Sequence, residues 1–358
     1  MKRTIGCNLV DAVSDGVYGF YTCDAYRNLL NRYARYRELI GALEFSHVTE
    51  ISPEEAVEIG KLARGLGFET WSIHSEHLNV GDRLEEYLAI QKHEAEVCAA
   101  LGCRVMVCHL PNLCPYVDFE RDLDVIGKVA DLTHTNGVRL AVETCLYPDE
   151  NGTILPDAEL VLQVVEALNR EDVGINLDTG HCLLGQTGGR KEGVNRLLSG
   201  SEKQTLPNLV HRIGRKLFTT HLQDNFGMND DHQAPGFGWI DWESLLPAIL
   251  ETGYEGPLMM ELTGPTVKIR RTVPQLRNFP LEKEIVFAAG YLHFLLARGQ
   301  APHENQPLPE PLNPSAEFPE RNFIALRSSA ESSGIRRTSP KETFRKEDQR
   351  ISACKNPE

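Results

Sequence analysis

Residues 118–143 read DFERDLDVIGKVADLTHTNGVRLAVE. The spacing predicts a helix over 118–136 with a stop at Gly137. The apolar run 138–143 then reads as a strand, and it ends on a carboxylate, Glu143. Working outward, the same alternation covers most of the chain. Strands are expected at 3–10, 41–46, 68–74, 103–110, 138–143, 173–178, 217–222 and 257–262. Helices are expected at 25–40, 82–101, 118–136, 156–169, 206–216, 242–252 and 281–298. A further helix opens at Ser52-Pro53-Glu54-Glu55, with Ser52 as N-cap and Glu55 at the capping-box position, and closes at 65–67.

The strands are mostly continuous apolar runs, as parallel strands buried on both faces require. Strand–helix alternation gives either an open doubly wound sheet or a closed barrel. Eight units favour the (β/α)8 TIM barrel, and no G-x-G-x-x-G follows the first strand to support a dinucleotide fold. The expected organisation is one barrel domain over 1–298 and a disordered tail over 299–358. In the tail, Pro302, Pro307, Pro309, Pro311, Pro314 and Pro319 cluster and apolar periodicity stops. A short element around 323–326 is the one exception considered there.

The chain has 358 residues and a net charge of −14. Residues 299–358 carry nine basic and nine acidic side chains, so the barrel region holds the whole excess. That argues against nucleic acid and anionic membranes as partners, since both need a basic face. No apolar run approaches the ~18–20 residues of a membrane span, and the N-terminal segment lacks the apolar stretch of a signal peptide. The nine cysteines are an odd number with no C-x-x-C pair, which fits a reducing cytoplasm better than a disulfide framework.

Six successive strands end on a metal-competent side chain: His74, His109, Glu143, Asp178 (with His181 three residues on), His221 and Glu261. In a barrel these ends share the C-terminal mouth, where active sites sit. Each alone has an ordinary structural explanation. Together they would bury imidazoles and carboxylates without a counter-charge, at several kcal/mol per uncompensated ion. A divalent cation removes that cost. The His-rich donor set favours manganese or zinc, with magnesium and cobalt left open. The loop after strand seven adds Asp230 and His232, which with His181 make either a further N/O site or an acidic turn ahead of the helix cap Asp241. Asp224 could orient a ligand or bind substrate. The direction of Glu44 on strand two stays open, as does the role of His77. The Gly-rich stretch 185–200, with Arg190, Lys191 and Arg196, reads as a loop that either covers an anionic substrate or is merely mobile. Cys145 and Cys182 have no evident activating partner.

Glu143, Leu-Asp178-Thr-Gly-His181, His221-Leu-Gln-Asp224-Asn, Asp-Asp-His232-x-x-Pro-Gly236-x-Gly238 and Glu261 resemble the xylose-isomerase-like TIM-barrel superfamily over about residues 3–298. That superfamily includes sugar-phosphate isomerases and epimerases, ketose 3-epimerases, inosose-processing enzymes and endonuclease IV. In its epimerase branch the resemblance implies one divalent metal on Glu143, Asp178, His221 and Glu261, with Glu143 and Glu261 flanking the substrate carbon and carrying its proton. The expected substrate is a small sugar, sugar phosphate or polyol. Phe226-Gly227-Met228 stand where that branch commonly has an Arg. The endonuclease branch implies a larger set, adding His74, His109, His181, Asp230 and His232 as ligands of further metals. It points to hydrolase or lyase chemistry, but here the surrounding loops are acidic or neutral. The sequence leaves an oligomer open.

Overall fold

The computed structural model describes residues 3–9, 21–76, 83–111, 119–145, 157–187, 205–227, 230–262 and 281–300. His77, Arg190, Lys191, Arg196 and the tail beyond residue 300 lie outside the described residues.

Eight parallel strands form one sheet: β1 (Ile5–Leu9), β2 (Ala42–Ser46), β3 (Glu69–His74), β4 (Val105–Cys108), β5 (Arg139–Glu143), β6 (Val173–Asp178), β7 (Leu217–His221) and β8 (Leu258–Met260). Their order is β7-β6-β5-β4-β3-β2-β1-β8. A bridge between Leu222 and Met260 brings the two edges together and nearly closes the barrel. At this seam Leu222 N donates to Met259 O at 2.8 Å. The Thr220 hydroxyl accepts from Met259 N and donates to Met259 O, standing in for missing ladder bonds.

Around the barrel run α1 (Cys23–Tyr33), α2 (Pro53–Gly65), α3 (Leu84–Leu101), α4 (Phe119–Thr135), α5 (Asp157–Leu168), α6 (Thr179–Thr187), α7 (Leu206–Ile213), α8 (Trp242–Glu251) and α9 (Leu281–Gln300). Two helices expected to be longer end in 3₁₀ turns, at Ala34–Tyr36 and Gly214–Lys216. α6 was not expected. It follows the Asp178 strand end directly, and only its last residues, 185–187, overlap the Gly-rich stretch 185–200 read as a loop. The α2 capping box forms as its sequence requires: Ser52 Oγ accepts from Glu55 N at 3.2 Å, and Glu55 accepts from Ser52 N at 2.9 Å. No described helix is long and apolar enough to cross a membrane.

Two apolar clusters hold the fold. The larger lies between strands and helices and takes Leu43, Phe45, Ile73, Met106, Cys108, Leu140, Val142 and Ile175 from the outer strand faces. The smaller fills the barrel interior with Ala42, Trp71, Val105, Val107, Ala141, Phe218 and Met259. Period-2 alternation alone would not build this interior. The register shifts opposite Leu43/Glu44 and Ile175/Asn176 leave Trp71 and Phe218 as extra residues in their strands. Each bulge turns two consecutive side chains inward: an aromatic for the plug, then a polar residue for the layer above. Trp71 Nε1 donates to Thr219 Oγ1 across the barrel at 3.2 Å.

Candidate metal centre and active site

The inner faces above the apolar plug continue as polar residues. On β4 the series Val105, Val107 leads to His109; on β5 Ala141 leads to Glu143; on β6 Asn176 leads to Asp178. Glu143, Asp178 and His221 end their strands, and Glu261 follows β8 by one residue. All four offer ligand atoms within 4.8 Å of one another. Two further groups meet the same spacing: His74, Glu143 and His221, and His181, Asp230 and His232. The strand-end residues read from the sequence are therefore brought together, with Glu143 and His221 each common to two groups.

The orientation of His221 is decisive. Its Nε2 donates to Glu44 Oε1 at 2.9 Å, and Ser72 Oγ holds the other Glu44 oxygen at 2.6 Å. This aims Nδ1 at Glu143 Oε2 at 3.1 Å and Glu261 Oε2 at 3.2 Å. Against burial, the carboxylates around the ring hold its pKa well above the usual imidazole range, so Nδ1 carries a proton unless a cation takes its place. Neither His221 Nδ1 nor Glu261 Oε2 has a hydrogen-bond partner there, and the same holds for Glu143 Oε1 and His232 Nδ1. Lone pairs converging at this distance repel unless positive charge stands among them. Glu44, Glu143, Asp178 and His221 are all buried to 1% exposure or less. Four carboxylates, counting Glu261, surround one imidazole. The donor set and its unsatisfied atoms fit a divalent cation.

Protonation follows the same logic. Burial opposes a charge on His74, but Glu143 and Glu261 outweigh it and hold the imidazole up to about 9. Burial likewise opposes charge on His232, and Asp230 with Glu261 brings it up to about 10. Burial pushes Asp178 up to about 7 against the pull of His181. Glu143 and Glu261 resist burial and stay below the usual carboxylate range, held chiefly by His221, with His109 beside the first and His232 beside the second. In the absence of a cation the cluster gathers protons as its counter-charge.

The outer residues are placed by their own hydrogen bonds. His74 Nδ1 donates to Ser75 O at 2.9 Å, which turns Nε2 to Glu143 at 3.2 Å. His109 Nε2 lies 3.4 Å from Glu143 Oε1, beside the cluster but in none of the three groups. His181 Nδ1 donates to Thr144 O at 3.0 Å, and its Nε2 meets Asp230 at 3.1 Å. His232 Nε2 meets the same Asp230 oxygen at 2.9 Å, from a backbone at φ +45°.

Asp224 stands apart. Its carboxylate accepts from Gly236 N at 3.1 Å, Ile240 N at 3.2 Å and Trp242 Nε1 at 2.8 Å, while its backbone pairs with Gln233. It anchors the loop that presents Asp230 and His232, and its oxygens are taken. Gly238 is required by the same anchor, because a Cβ there would lie 2.2 Å from Asp224 Oδ1.

Two polar residues of the site, Gln223 and Asn176, were not singled out from the sequence, and the direction of a third, Glu44, stayed open. Glu44 was left open because the β3 bulge opposite it decides which neighbours share its face. Gln223 Nε2 bridges Asp178 at 3.2 Å and Asp230 at 2.9 Å. Asn176 Nδ2 donates to Glu143 Oε2 at 3.0 Å. Counting two residues back from Asp178 and two on from His221 would have pointed to both.

Comparison with known proteins bears on the fold and the family. Inosose isomerase of Bacillus subtilis (strain 168) is 25% identical over 181 residues, 48% of this chain and 58% of that enzyme. The y4fM protein of Sinorhizobium fredii is 30% identical over 124 residues, 35% of this chain and 33% of that protein. The chain thus spans between a third and three-fifths of these curated relatives. Among solved structures, L-ribulose 3-epimerase superposes with a TM-score of 0.60 at 17% identity, covering 85% of this chain and 100% of that one. D-psicose 3-epimerase, determined in the presence of D-fructose, gives 0.56 at 17% identity over 75% of this chain and 93% of that one. At such identities the likeness is one of fold. The pattern of one family, however, runs through residues 35–282, from the turn after α1 to the start of α9, and by that match the chain belongs to the xylose isomerase-like TIM barrel family.

Proposed function

We infer that the chain is a divalent-metal-dependent isomerase or epimerase of a small sugar, sugar phosphate or polyol. The observation that carries this is the cluster of Glu143, Asp178, His221 and Glu261, with His221 Nδ1 turned by Glu44 toward two carboxylates. The relatives support it: one is an inosose isomerase, and two structural neighbours are a ribulose and a psicose 3-epimerase. A divalent cation held by these four residues would polarise the substrate carbonyl and acidify the adjoining C–H. Glu143 and Glu261 reach the site from different strands and remain ionised beside imidazoles, so either can accept the carbon-bound proton and the other return one. His109 Nε2 and His181 Nδ1 lie 3.4 and 3.2 Å from Glu143 Oε1, the oxygen that does not face His221 and that has no hydrogen bond of its own.

A second reading is favoured by one observation, the His181–Asp230–His232 group beside the first. If every group holds a cation, the site becomes a multi-metal centre suited to hydrolase or lyase chemistry, including endonuclease IV-like phosphodiester cleavage. The charge of −14 opposes a nucleic-acid substrate.

The test is solvent-deuterium incorporation into ketoses, inososes and sugar acids by metal-loaded protein. Glu143→Gln and Glu261→Gln are each expected to slow exchange by at least ~100-fold, the scale of a lost acid–base group. Near-normal exchange by both variants on the substrate found would refute the mechanism.

A further inference from the structure

The opposite end of the barrel holds a cavity of about 580 Å³ that the proposed chemistry does not use. Its walls are the N-terminal ends of the strands: Thr4 before β1, Glu69 opening β3, Arg139 opening β5, Leu217 opening β7 and Pro257 before β8. Three guanidinium groups line it, those of Arg104, Arg139 and Arg215, against two carboxylates, Glu69 and Glu255.

These charges are not neutralised as a structural ion-pair cluster would be. Arg104 has Glu69 at 3.5 Å. Arg139 and Arg215 have no carboxylate partner among the described residues, although Glu255 lines the same cavity. Arg139 is held by a ring instead, with its guanidinium carbon 4.5 Å from the Phe218 centroid. Arg104 lies 5.7 Å from the Trp71 centroid. Both rings sit at the two bulges, so the irregularities in β3 and β7 are what aim them into this end of the barrel. A guanidinium stacked on a ring keeps its in-plane N–H donors for a ligand. Arg139 is half-buried, and burial pushes its pKa down. A desolvated cation with open donors is stabilised by an incoming anion.

We propose that this cavity is a second binding site, specific for a phosphate group, in which Arg139 is the central ligand and Arg104 and Arg215 flank it. The volume accommodates a phosphorylated small molecule of sugar-phosphate or mononucleotide size. Because the site is separated from the metal cluster by the apolar plug, its occupant is not the molecule undergoing reaction.

The experiment is phenylglyoxal modification of the full chain, read by peptide mass spectrometry, with inorganic phosphate and glucose 6-phosphate as probes. At saturation either probe is expected to slow modification of Arg139 about tenfold or more, while Arg298, exposed on α9, is unaffected. Protection by both at similar concentration identifies phosphate itself as the ligand; protection by the ester alone assigns the site to a phosphorylated metabolite. Calorimetric titration of the same probes should weaken about tenfold or more in Arg139→Ala, and Arg139→Lys should retain part of the affinity. If neither probe protects Arg139 in the parent protein, the proposal is overturned, and this result does not depend on any variant folding. Unchanged affinity in a folded Arg139→Ala would overturn it equally. Glu143→Gln should leave phosphate binding intact, which separates this site from the mouth of the barrel.

Discussion

At the scale of single residues, the question is how protons and cations share one set of donors. His221, the ring of the four-residue set, is held against burial well above the usual imidazole range by Glu44, Glu261 and Glu143. His74 and His232 in the neighbouring groups are held protonated to about 9 and about 10 by their carboxylate neighbours. Ligation needs the neutral ring, so metal uptake near neutral pH must expel protons, and affinity must fall as pH drops. Calorimetry in buffers of different ionisation enthalpy should therefore register proton release with each equivalent bound. The number of equivalents separates the two readings of the site. His181→Ala with His232→Ala should remove one equivalent if those rings are ligands and leave the first in place. If they face the substrate instead, stoichiometry stays at one and the substitutions raise KM. A count near three on protein purified without added metal would move the hydrolase reading to first place.

At the scale of elements, two helices offer tests independent of catalysis. Ser52→Ala removes half of the α2 capping box and should cost about 1 kcal/mol in denaturant unfolding. In α3, Glu94 is fully buried; it accepts from Glu76 N at 3.0 Å and from Gln91 Nε2 at 3.1 Å. Burial pushes its carboxyl up to about 8. The folded state therefore binds a proton that the unfolded state has released above its ordinary carboxyl pKa. Stability from this group is full below about 4.5 and is lost as pH rises through about 8. Glu94→Gln should not show that loss. Gln91 Oε1 has no partner in the present arrangement, so a flipped Gln91 amide can accept from the new side chain. Unfolding at pH 5 and pH 8 should show the parent losing on the order of a few kcal/mol relative to the variant. A constant difference across that range would show that Glu94 is ionised throughout.

At the scale of the molecule, the polar mouth and the arginine-lined base are two ends of one barrel separated by seven side chains. The plug lets opposite charge characters coexist in one sheet. The domain boundary is also a whole-molecule question. α9 continues to Gln300, and Arg298 ties it to Glu243 of α8 at 3.0 Å. Beyond it stand the proline cluster and the mixed charges. A chain ending after Gln300 is expected to unfold cooperatively at close to the parent Tm and to bind the same number of metal equivalents. Insolubility, or loss of the cooperative transition, would show that residues 301–358 contribute to the fold.

Periodicity, stop residues and strand-end chemistry determined the barrel, its eight strands and most of the cluster. Those signals are local: a continuous apolar run, a Gly after a helix, a His or Glu at the end of a strand. The capping box on Ser52 was legible for the same reason. What only the tertiary structure decided depends on register between strands. The bulges at Trp71 and Phe218 reset inward-facing parity partway along β3 and β7, so no count along one strand could place Glu44 beneath His221. The fate of Asp224 was equally non-local, because three of the donors to its carboxylate lie 12 to 18 residues away along the loop it anchors. Side-chain type announces that a group can ligate; whether its lone pairs are free to do so is settled by the neighbours that folding brings to it.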